Sequence, residues 1–340
     1  MKALVWTSPK HMEIQELPDP EPQADEALVR VAYVGICGSE LSGYLGHNAL
    51  RVPPLVMGHE FSGEIIALGA ASAESGELSV GQQVTVNPLS CTGNSELQQR
   101  GLDQLCPTRQ LIGAHRPGAN AERVVVPARS ISPLPAGLSL RDGALTEPVG
   151  CAVRIGELTD PIADKDCLII GAGPIGILTL QVLLGSGARR VFIADLDGER
   201  LAMGTEFGGL TIDPRTQDVV EVIREATGDR GVDVSIDAVG AAITRKQCVS
   251  ATMPTGTVIL SGLHEETSEM PAADIIRREI VVRGSFSYSP ANFAAALAML
   301  AAAEITLDPF IEEAPLPSGG AWFERLINAP GNVSKVLLIP

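Results

Sequence analysis

The strongest constraint on this chain is a glycine-rich turn, GAGPIG, between the apolar run CLII and the apolar helix pattern ILTLQVLLGSG. Gly171, Gly173 and Gly176 follow the order G-x-G-x-x-G directly after a predicted strand. The first glycine permits a tight turn, the second lets a pyrophosphate approach the backbone, and the third lets helix and strand pack closely. The turn, with Pro174 and Ile175 opening the helix, is therefore predicted to bind a dinucleotide at the helix N-terminus.

Strand and helix patterns alternate from residue 166 to 284. The glycine turn is followed by VFIAD, a helix from Gly198, LTID, the helix TQDVVEVIREATG, VDVSIDA, a further helix, GTVILSG and EIVVRG. We expect TQDVVEVIREATG to begin near Thr216 and to stop at Gly228. This alternation predicts an α/β fold with a doubly wound parallel sheet.

The acidic residue after the second strand bears on the choice of dinucleotide. Asp195 stands 19 residues after Gly176, where a carboxylate can accept hydrogen bonds from both ribose hydroxyls and would repel a 2′-phosphate. No arginine follows it directly, so NAD is favoured over NADP. A sheet with a tight glycine turn and no dinucleotide is the alternative.

The rest of the chain has a different pattern. The short alternating runs ALVRVAYVGI, FSGEIIALG, QQVTVNPL and AERVVVPA predict a mostly antiparallel β domain. Ser289 and Pro290 form a good start for a late helix, and the closing KVLLIP is a strand that needs a sheet to join. We expect the tail to return to the first domain, which gives one domain from 1–150 with 286–340 and a second from 151–285.

Charge and hydropathy exclude several partners. The net charge of −16 repels phosphate backbones and anionic lipids, so neither nucleic acid nor a membrane is expected as a partner. The N-terminus lacks the apolar core of a signal peptide. No run approaches the ~18 apolar residues of a membrane helix. We expect a soluble cytoplasmic protein.

Two of the six cysteines, Cys91 and Cys106, bound a segment without another cysteine or histidine. They could be the remains of a metal lobe, a disulfide, or unrelated residues. A disulfide is not expected, because the chain shows no C-x-x-C spacing and is too long to need such bonds for stability.

Five residues are candidates for a metal site. GICGSE contains Cys37 and Ser39, PLVMGHEF contains His59 and Glu60, and ALTEPVG contains Glu147. Each follows an apolar run in a segment rich in glycine or proline, where side chains can converge. Taken singly, each has a structural explanation: a buried thiol, a core histidine or a helix cap. Only the set points to a metal.

In order and spacing, GICGSE, PLVMGHEFSGEI, NPL, RQLIG, EPV, GAGPIG and the AD at 194–195 resemble the zinc-dependent medium-chain dehydrogenase/reductase family, in its polyol, galactitol-phosphate and threonine dehydrogenase branch. The resemblance covers essentially the whole chain. It implies a GroES-like, mostly β catalytic domain and a Rossmann domain. It also implies NAD-dependent oxidation of a secondary hydroxyl of a small polyol or sugar alcohol. A homodimer or homotetramer is implied, with the edge strand near EIVVRG at the interface.

The same resemblance implies one catalytic zinc ion per subunit, bound by Cys37, His59 and either Glu60 or Glu147, with a fourth position open to the substrate hydroxyl. We expect Glu147 to be the ligand, with Glu60 binding directly in some states and through water in others. Cys151, four residues after Glu147, is expected to pack.

Proton transfer and the structural lobe depart from the family pattern. Ser39 matches the family's proton relay, but the usual histidine three residues later is a serine at position 42. His47 could replace it, or could be an exposed loop residue. In many members four cysteines bind a structural zinc between NPL and RQLIG. Here Cys91 and Cys106 match only the outer pair, and two thiols cannot complete such a site, so the lobe is predicted to be metal-free.

The resemblance also names residues around the dinucleotide in addition to the glycine turn. They are Asp195, Arg200, Val239, Leu260, Gly262, Leu263, Ser285 and Phe286. The candidate zinc ligands and Asp195 argue against a zinc-free quinone or enone reductase that uses NADPH. The same ligands together with Ser39 argue against a dinucleotide-binding protein without activity.

The sequence does not identify the substrate. A phosphorylated polyol would require a cation near the zinc, and Arg51, Arg116 and Arg123 lie in the right domain. Their directions cannot be read from the sequence. Threonine would require a partner for its carboxylate, with the same difficulty.

Overall fold

The computed structural model describes all 340 residues. The chain divides into two compact units. The first contains residues 1–150, 288–304 and 308–340, and the second contains residues 151–287 and 305–307. None of the helices combines the length and apolar character needed to cross a membrane.

The strands are β1 (Lys2–Ser8), β2 (His11–Glu16), β3 (Glu26–Gly35), β4 (Leu55–Val56), β5 (Glu60–Leu68), β6 (Gln83–Val86), β7 (Leu89–Cys91), β8 (Arg109–Leu111), β9 (Arg123–Pro127), β10 (Ile131–Pro133), β11 (Asp166–Ile170), β12 (Arg190–Ala194), β13 (Leu210–Ile212), β14 (Val232–Asp237), β15 (Thr252–Leu260), β16 (Val281–Gly284), β17 (Ile311–Pro315) and β18 (Lys335–Ile339). The α-helices are α1 (Gly38–Tyr44), α2 (Ala70–Ser75), α3 (Glu96–Gln99), α4 (Leu140–Gly143), α5 (Thr146–Thr159), α6 (Pro174–Gly185), α7 (Gly198–Glu206), α8 (Val219–Thr227), α9 (Ala242–Ala251), α10 (Ala272–Arg277), α11 (Pro290–Ala301) and α12 (Gly319–Asn328).

The first unit is built on a seven-stranded, mainly antiparallel sheet. Its order is β10-β6-β5-β3-β18-β17, and β9 also pairs with β3. Strand β18 lies antiparallel to β3, with Leu337 opposite Gly35, so the expectation that the C-terminal tail returns to this sheet is confirmed. A separate sheet of β2, β1 and β4 contributes Trp6 to the core, which also contains Phe61 and Phe323.

The second unit contains a six-stranded parallel sheet in the order β13-β12-β11-β14-β15-β16. The predicted doubly wound sheet is therefore confirmed. Every residue of β11 is buried, as expected for a central parallel strand covered on both faces. The strand order reverses between β11 and β14, and in such sheets ligands bind beyond the carboxyl ends of the strands at this point.

The predicted start of helix α8 needs a correction. Asp218 rather than Thr216 caps the helix, because its carboxylate accepts hydrogen bonds from the N–H groups of Val220 and Glu221. The Thr216 hydroxyl instead donates to the carbonyl of Asp213 in the preceding turn. The predicted stop is confirmed, since Gly228 ends the helix with φ at 59°, a left-handed conformation that glycine adopts without steric cost.

The amino edge of the parallel sheet contains a buried charge cluster. Asp166, at the start of β11, is fully buried and forms ion pairs with Arg189, Arg190 and Arg230. Burial alone would raise the pKa of Asp166, but its hydrogen bonds to Arg190 and Arg189 hold the pKa well below its usual range. The cluster therefore joins the start of β11 to the start of β12 and to the residues just before β14.

The lobe between β7 and β8 is closed by a covalent bond. Cys91 and Cys106 form a disulfide with their Cα atoms 6.4 Å apart, so the expectation that they are unpaired is wrong. The antiparallel pairing of β7 with β8 places Cys91 opposite Arg109, which brings the two ends of the lobe together. Neither sulfur is then a thiolate that could bind a metal.

Candidate active site

Three potential metal ligands of the first unit converge at one point. One ligand atom from each of Cys37, His59 and Glu60 lies within 4.8 Å of the others. The antiparallel register of β3 with β5 sets Gly35 opposite Glu60, so the residues after β3 meet the residues that begin β5. The two sequence motifs are adjacent because of this register.

The carboxylate of Glu40 orients His59. Glu40 Oε1 lies 2.9 Å from His59 Nδ1 and accepts the N–H of Gly58 at 2.7 Å, while Oε2 accepts the N–H of Cys37 at 3.3 Å. Because Glu40 engages Nδ1, the imidazole can present Nε2 as a ligand, an arrangement common among metal-binding histidines. No role was predicted for Glu40. The feature in the sequence that marks Glu40 is its place in the first turn of α1, three residues after the N-cap residue Cys37.

The charges around His59 and Glu40 reinforce each other. Burial by itself would lower the pKa of His59, but the negative charges of Glu40 and Cys37 raise it well above the usual value. Burial would raise the pKa of Glu40, yet His59 and Arg51 bring it below the usual value. The histidine is therefore held in a strongly negative setting, which also favours a bound cation.

Glu60 forms a buried ion pair that was not predicted. Lys335, the first residue of β18, places its Nζ 2.9 and 2.6 Å from the two carboxylate oxygens of Glu60 and donates to the carbonyl of Ile36 at 3.2 Å. Burial would lower the pKa of Lys335, but Glu60 and Cys37 raise it. The signal in the sequence was a lone lysine at the start of the apolar run KVLLIP, although its partner could not be known.

Glu147 is buried in the first turn of α5. Burial is the main cause that raises its pKa to about 7; the positive charge of His59 opposes the rise and the negative charge of Glu60 adds to it. These interactions place Glu147 in the same electrostatic environment as the converging ligands. Neither Glu147 nor Cys151, one turn further along α5, is among the residues whose ligand atoms lie within 4.8 Å of one another.

Ser39 borders the metal-ligand cluster. Its Oγ donates to Cys37 Sγ at 3.4 Å and accepts from Arg51 Nη2 at 3.3 Å. His47 is exposed in the loop after α1, and its side chain makes no hydrogen bond to Ser39. The structure therefore places Ser39 at the border of the cluster and leaves His47 out of contact with it.

The directions of the three candidate arginines are now defined. Arg116 forms an ion pair with Glu26 at 2.7 Å, and Arg123 pairs with Asp19. Both have their charge compensated by carboxylates elsewhere in the unit. Only Arg51 contacts a residue of the candidate site.

In the second unit, each glycine of the GAGPIG turn has a distinct structural reason. Gly171 has φ at 106°, in the region that favours glycine. A Cβ at Gly176 would overlap the carbonyl oxygen of Gly171, whereas a Cβ at Gly173 would meet no atom within 4 Å. Gly173 caps α6 and Pro174 occupies its first turn. The turn thus has open space at Gly173 beside a half-buried helix N-terminus, which fits a pyrophosphate.

Asp195 is fixed by two backbone groups. It follows β12 and accepts the N–H of Ala172 at 2.7 Å and the N–H of Asp197 at 2.9 Å. The remaining predicted dinucleotide residues also lie at or after the carboxyl ends of strands, except for Arg200 in the first turn of α7. They are Val239 after β14, Leu260, Gly262 and Leu263 at the end of β15, and Ser285 and Phe286 after β16.

The sequence matches two known families. Residues 23–136 match the alcohol dehydrogenase GroES-like domain, and residues 174–302 match the zinc-binding dehydrogenase family. The chain is 31% identical to the (R,R)-butanediol dehydrogenase of Bacillus subtilis (strain 168), over 92% of this chain and 94% of the relative. It is 32% identical to the D-arabitol-phosphate dehydrogenase of Enterococcus avium, over 95% and 92% of the two chains. It is 33% identical to a sorbitol dehydrogenase of Halalkalibacterium halodurans, over 88% of each.

Solved structures are similar over the whole chain. A zinc-binding dehydrogenase from Sinorhizobium meliloti 1021, bound to NADP, has a TM-score of 0.91 at 31% identity and covers 100% of this chain and 99% of its own. An alcohol dehydrogenase from Escherichia coli CFT073, complexed with NADH, has a TM-score of 0.93 at 28% identity with the same coverage. Relatives of this fold thus bind either form of the dinucleotide.

The converging cysteine, histidine and carboxylate, the glycine turn and the agreement over nearly the full length lead to one conclusion. This chain is an alcohol oxidoreductase that uses zinc and a nicotinamide dinucleotide, and it belongs to the zinc-dependent medium-chain alcohol and polyol dehydrogenase family.

Proposed function

We propose that this protein oxidises a secondary hydroxyl of a small polyol or sugar alcohol to the ketone, with NAD as the hydride acceptor and one catalytic zinc ion per subunit. The observation that carries the proposal is the convergence of Cys37, His59 and Glu60 in the first unit. The names of the butanediol, arabitol-phosphate and sorbitol dehydrogenases support a polyol as the substrate class.

The donor set fits a catalytic zinc ion. A thiolate, an imidazole and a carboxylate are three ligands that leave a tetrahedral ion one open position, and Glu40 already orients the imidazole. Cys37, His59 and one of the two carboxylates, Glu60 or Glu147, would bind the ion. When bound, zinc supplies Lewis-acid chemistry that acidifies the substrate hydroxyl.

Of the two carboxylates, we propose Glu147 as the third ligand. Both oxygens of Glu60 are engaged by Lys335, whereas no salt bridge involves Glu147. Burial has raised the pKa of Glu147 to about 7, so a cation beside it would relieve the cost of its negative charge. Glu60 can still approach the ion in some states if Lys335 releases one oxygen.

The Ser39 hydroxyl is proposed to relay the proton that leaves the substrate, accepting it at Oγ while its own proton passes to solvent. It is exposed and lies 3.4 Å from Cys37 Sγ, which puts a donor and acceptor group at the border of the ligand cluster. General acid–base groups must lie within hydrogen-bonding reach of the proton they transfer. His47 is not needed for this first step.

NAD is proposed over NADP because of Asp195. The N–H groups of Ala172 and Asp197 hold its carboxylate at the end of β12, so the negative charge cannot easily turn away from a ribose. Such a carboxylate accepts hydrogen bonds from ribose hydroxyls and repels a 2′-phosphate. The bound dinucleotide accepts the hydride at its nicotinamide ring.

A homodimer or homotetramer is also proposed. Strand β16 is at the edge of the six-stranded sheet and pairs only with β15. An exposed edge strand offers unpaired backbone groups to a second copy. Light scattering coupled to size-exclusion chromatography would measure the mass in solution, and a monomeric mass would contradict this part of the proposal.

The first experiment is to measure zinc per chain in the purified protein, together with NADH production from butanediol, sorbitol and arabitol. One zinc per chain, and activity that chelation removes and added zinc restores, are expected. The variants Glu147→Gln and Glu60→Gln separate the two carboxylates, because loss of the direct ligand should reduce bound zinc more. Glu64→Gln is a matched control, since Glu64 pairs with Arg30 at the surface.

Two results would count against the proposal. Protein without zinc, prepared without chelator and inactive after zinc addition, would refute the catalytic metal site. Activity with NADPH and an enone but not with NAD and a polyol would favour a reductase of the same family.

A further inference from the structure

We propose that Arg51 is a positioning residue for Ser39, whose hydroxyl oxygen it holds at the border of the metal-ligand cluster with one acceptor position left for the substrate proton. The inference rests on the proposed function of Ser39 as the proton acceptor. It concerns only residues of the first unit, and Arg51 has no counterpart among the motifs by which the family was identified.

The guanidinium of Arg51 donates its hydrogen bonds to Ser39. Nη1 donates to the Ser39 carbonyl at 3.2 Å and Nη2 donates to the Ser39 Oγ at 3.3 Å. The side chain is only 3% exposed, and its Nε has no hydrogen-bond partner. No carboxylate lies within ion-pairing distance of the guanidinium.

Such an arrangement is costly for stability. Burying a guanidinium without a carboxylate partner is unfavourable, and an unpaired buried N–H adds to that cost. The charge of Arg51 also acts on Glu40, whose pKa it helps to lower. A residue whose burial reduces stability is more often retained because it serves a neighbouring functional site.

The helix next to Arg51 is shaped to admit it. A Cβ at Gly43 in α1 would lie 2.7 Å from Arg51 Cδ, closer than such atoms approach in proteins. A glycine inside a helix costs about 0.5–1 kcal/mol relative to alanine. The pair of Gly43 and Arg51 is thus a second observation that the guanidinium is built into the surroundings of Ser39.

The effect on the hydroxyl follows from its hydrogen-bonding capacity. A serine hydroxyl has one proton and two acceptor positions. Arg51 occupies one acceptor position and the hydroxyl donates its proton to Cys37 Sγ at 3.4 Å, which leaves the second acceptor position for the substrate proton. Without Arg51 the side chain is free to redistribute among its staggered rotamers.

Arg51 cannot itself carry the proton. A guanidinium keeps its charge at any pH at which proteins are folded, and the burial of Arg51 keeps it from the substrate. Its role is therefore to hold Ser39, in a chain where the residue three positions further is Ser42 rather than a histidine. An orienting contact of this kind matters most for the proton-transfer step.

The test is a double-mutant cycle of Arg51→Met and Ser39→Ala, measured as kcat/KM for polyol oxidation. A charge-assisted hydrogen bond predicts a fall of about ten- to hundredfold in Arg51→Met and a larger solvent deuterium isotope effect. In the Ser39→Ala background, Arg51→Met should have little further effect, because the hydroxyl it holds is absent. Arg51→Lys keeps one donor and should recover part of the rate.

Two outcomes would overturn the inference. The first is an unchanged kcat/KM in Arg51→Met. The second is the same fold loss in both backgrounds, which would show that Arg51 acts independently of the hydroxyl. Thermal unfolding and zinc content of each variant show whether a loss reflects misfolding. If Arg51→Met does not fold, the same double-mutant cycle is measured with Arg51→Lys, and the same two outcomes would overturn the inference.

A crystal structure of the Arg51 variant keeps this inference separate from the proposed function. Ser39 Oγ is expected to leave its contact with Cys37 or to occupy more than one rotamer. An unchanged single rotamer would refute the positioning role even in a protein with no detectable dehydrogenase activity. Conversely, a wild-type protein without polyol oxidation would refute the proposed function while the rotamer still reports on Arg51.

Discussion

Replacing Glu40 by glutamine should weaken zinc binding about tenfold while leaving the fold intact. Glu40 accepts hydrogen bonds from the N–H groups of Gly58 and Cys37 and from His59 Nδ1. Glutamine retains one oxygen but loses the charge. A hydrogen bond to a charged group contributes about 1.5–3 kcal/mol and a neutral one about 0.5–1.5, so the difference is about 1–1.5 kcal/mol. Since 1.4 kcal/mol is a factor of ten, the estimate meets the lower end of the ten- to hundredfold range for residues that orient metal ligands.

Glu40→Ala should have a larger effect of a different kind. It leaves the buried N–H of Gly58 and the Nδ1–H of His59 without an acceptor, at about 1–3 kcal/mol each. Both the melting temperature and zinc affinity should then fall. The contrast between glutamine and alanine separates the effect of charge from that of an unsatisfied donor.

The assay is competition for zinc with a chelating dye, with calorimetric melting of the metal-free proteins as the stability control. Glu64→Gln is again the matched control, because its partner Arg30 is at the surface and such pairs contribute about 0–1 kcal/mol. Equal zinc affinities for the wild type, Glu40→Gln and Glu64→Gln would refute the view that Glu40 orients the ligand.

Three further predictions concern stability and the dinucleotide. Asp166→Asn should destabilise the second unit by roughly 2–3 kcal/mol near neutral pH, less than the loss of a fully buried pair because its arginine partners are partly exposed. The pKa of Asp166 is lowered on folding, so its contribution to the free energy of unfolding is complete above about pH 4 and is lost as the pH falls through the lower folded value. Calorimetry should therefore show the stability difference between Asp166→Asn and wild type becoming smaller in acid. A stability difference that does not change with pH would contradict the assignment. Cys91→Ser, or reduction of the bond to Cys106, should cost about 3 kcal/mol for a loop of 15 residues, and a melting temperature insensitive to reductant would count against the disulfide. Gly176→Ala should cost about 1–3 kcal/mol through overlap with the carbonyl of Gly171 and should weaken NADH binding in a fluorescence titration; unchanged binding would disprove the role of this close approach.

The features that could be predicted from the sequence are those encoded in contiguous residues. The parallel sheet follows from apolar runs such as CLII and VFIAD, and the tight turn follows from the spacing of Gly171, Gly173 and Gly176. The stop of α8 at Gly228 follows from the left-handed conformation of that residue. Thr216 was the wrong start because two polar residues, Thr216 and Asp218, could each cap the helix, and only the preceding turn decides between them.

The features that escaped prediction depend on partners far apart in sequence. Lys335 and Glu60 are 275 residues apart, and nothing near either residue marks the other. Arg51 could be proposed from the sequence as a cation near the site. The direction of its side chain could not be predicted, because it depends on the space that Gly43 leaves by having no side chain. The disulfide was not predicted because chain length and cysteine spacing indicate only whether disulfides are expected at all. The pairing of β7 with β8, which brings Cys91 and Cys106 together, could not be known from them.

The position of β18 has a consequence for how the protein is made. This strand contains Lys335 and lies between β3 and β17, so the sheet that presents the candidate zinc ligands is incomplete until residues 335–339 have left the ribosome. The second unit, almost entirely the continuous segment 151–287, has its sheet strands available much earlier in synthesis. Domains generally fold as units as they emerge, and pairing between distant segments is slow. A nascent chain should therefore acquire dinucleotide binding before it can acquire zinc, and deletion of residues 335–339 should abolish metal binding while sparing the nucleotide fold.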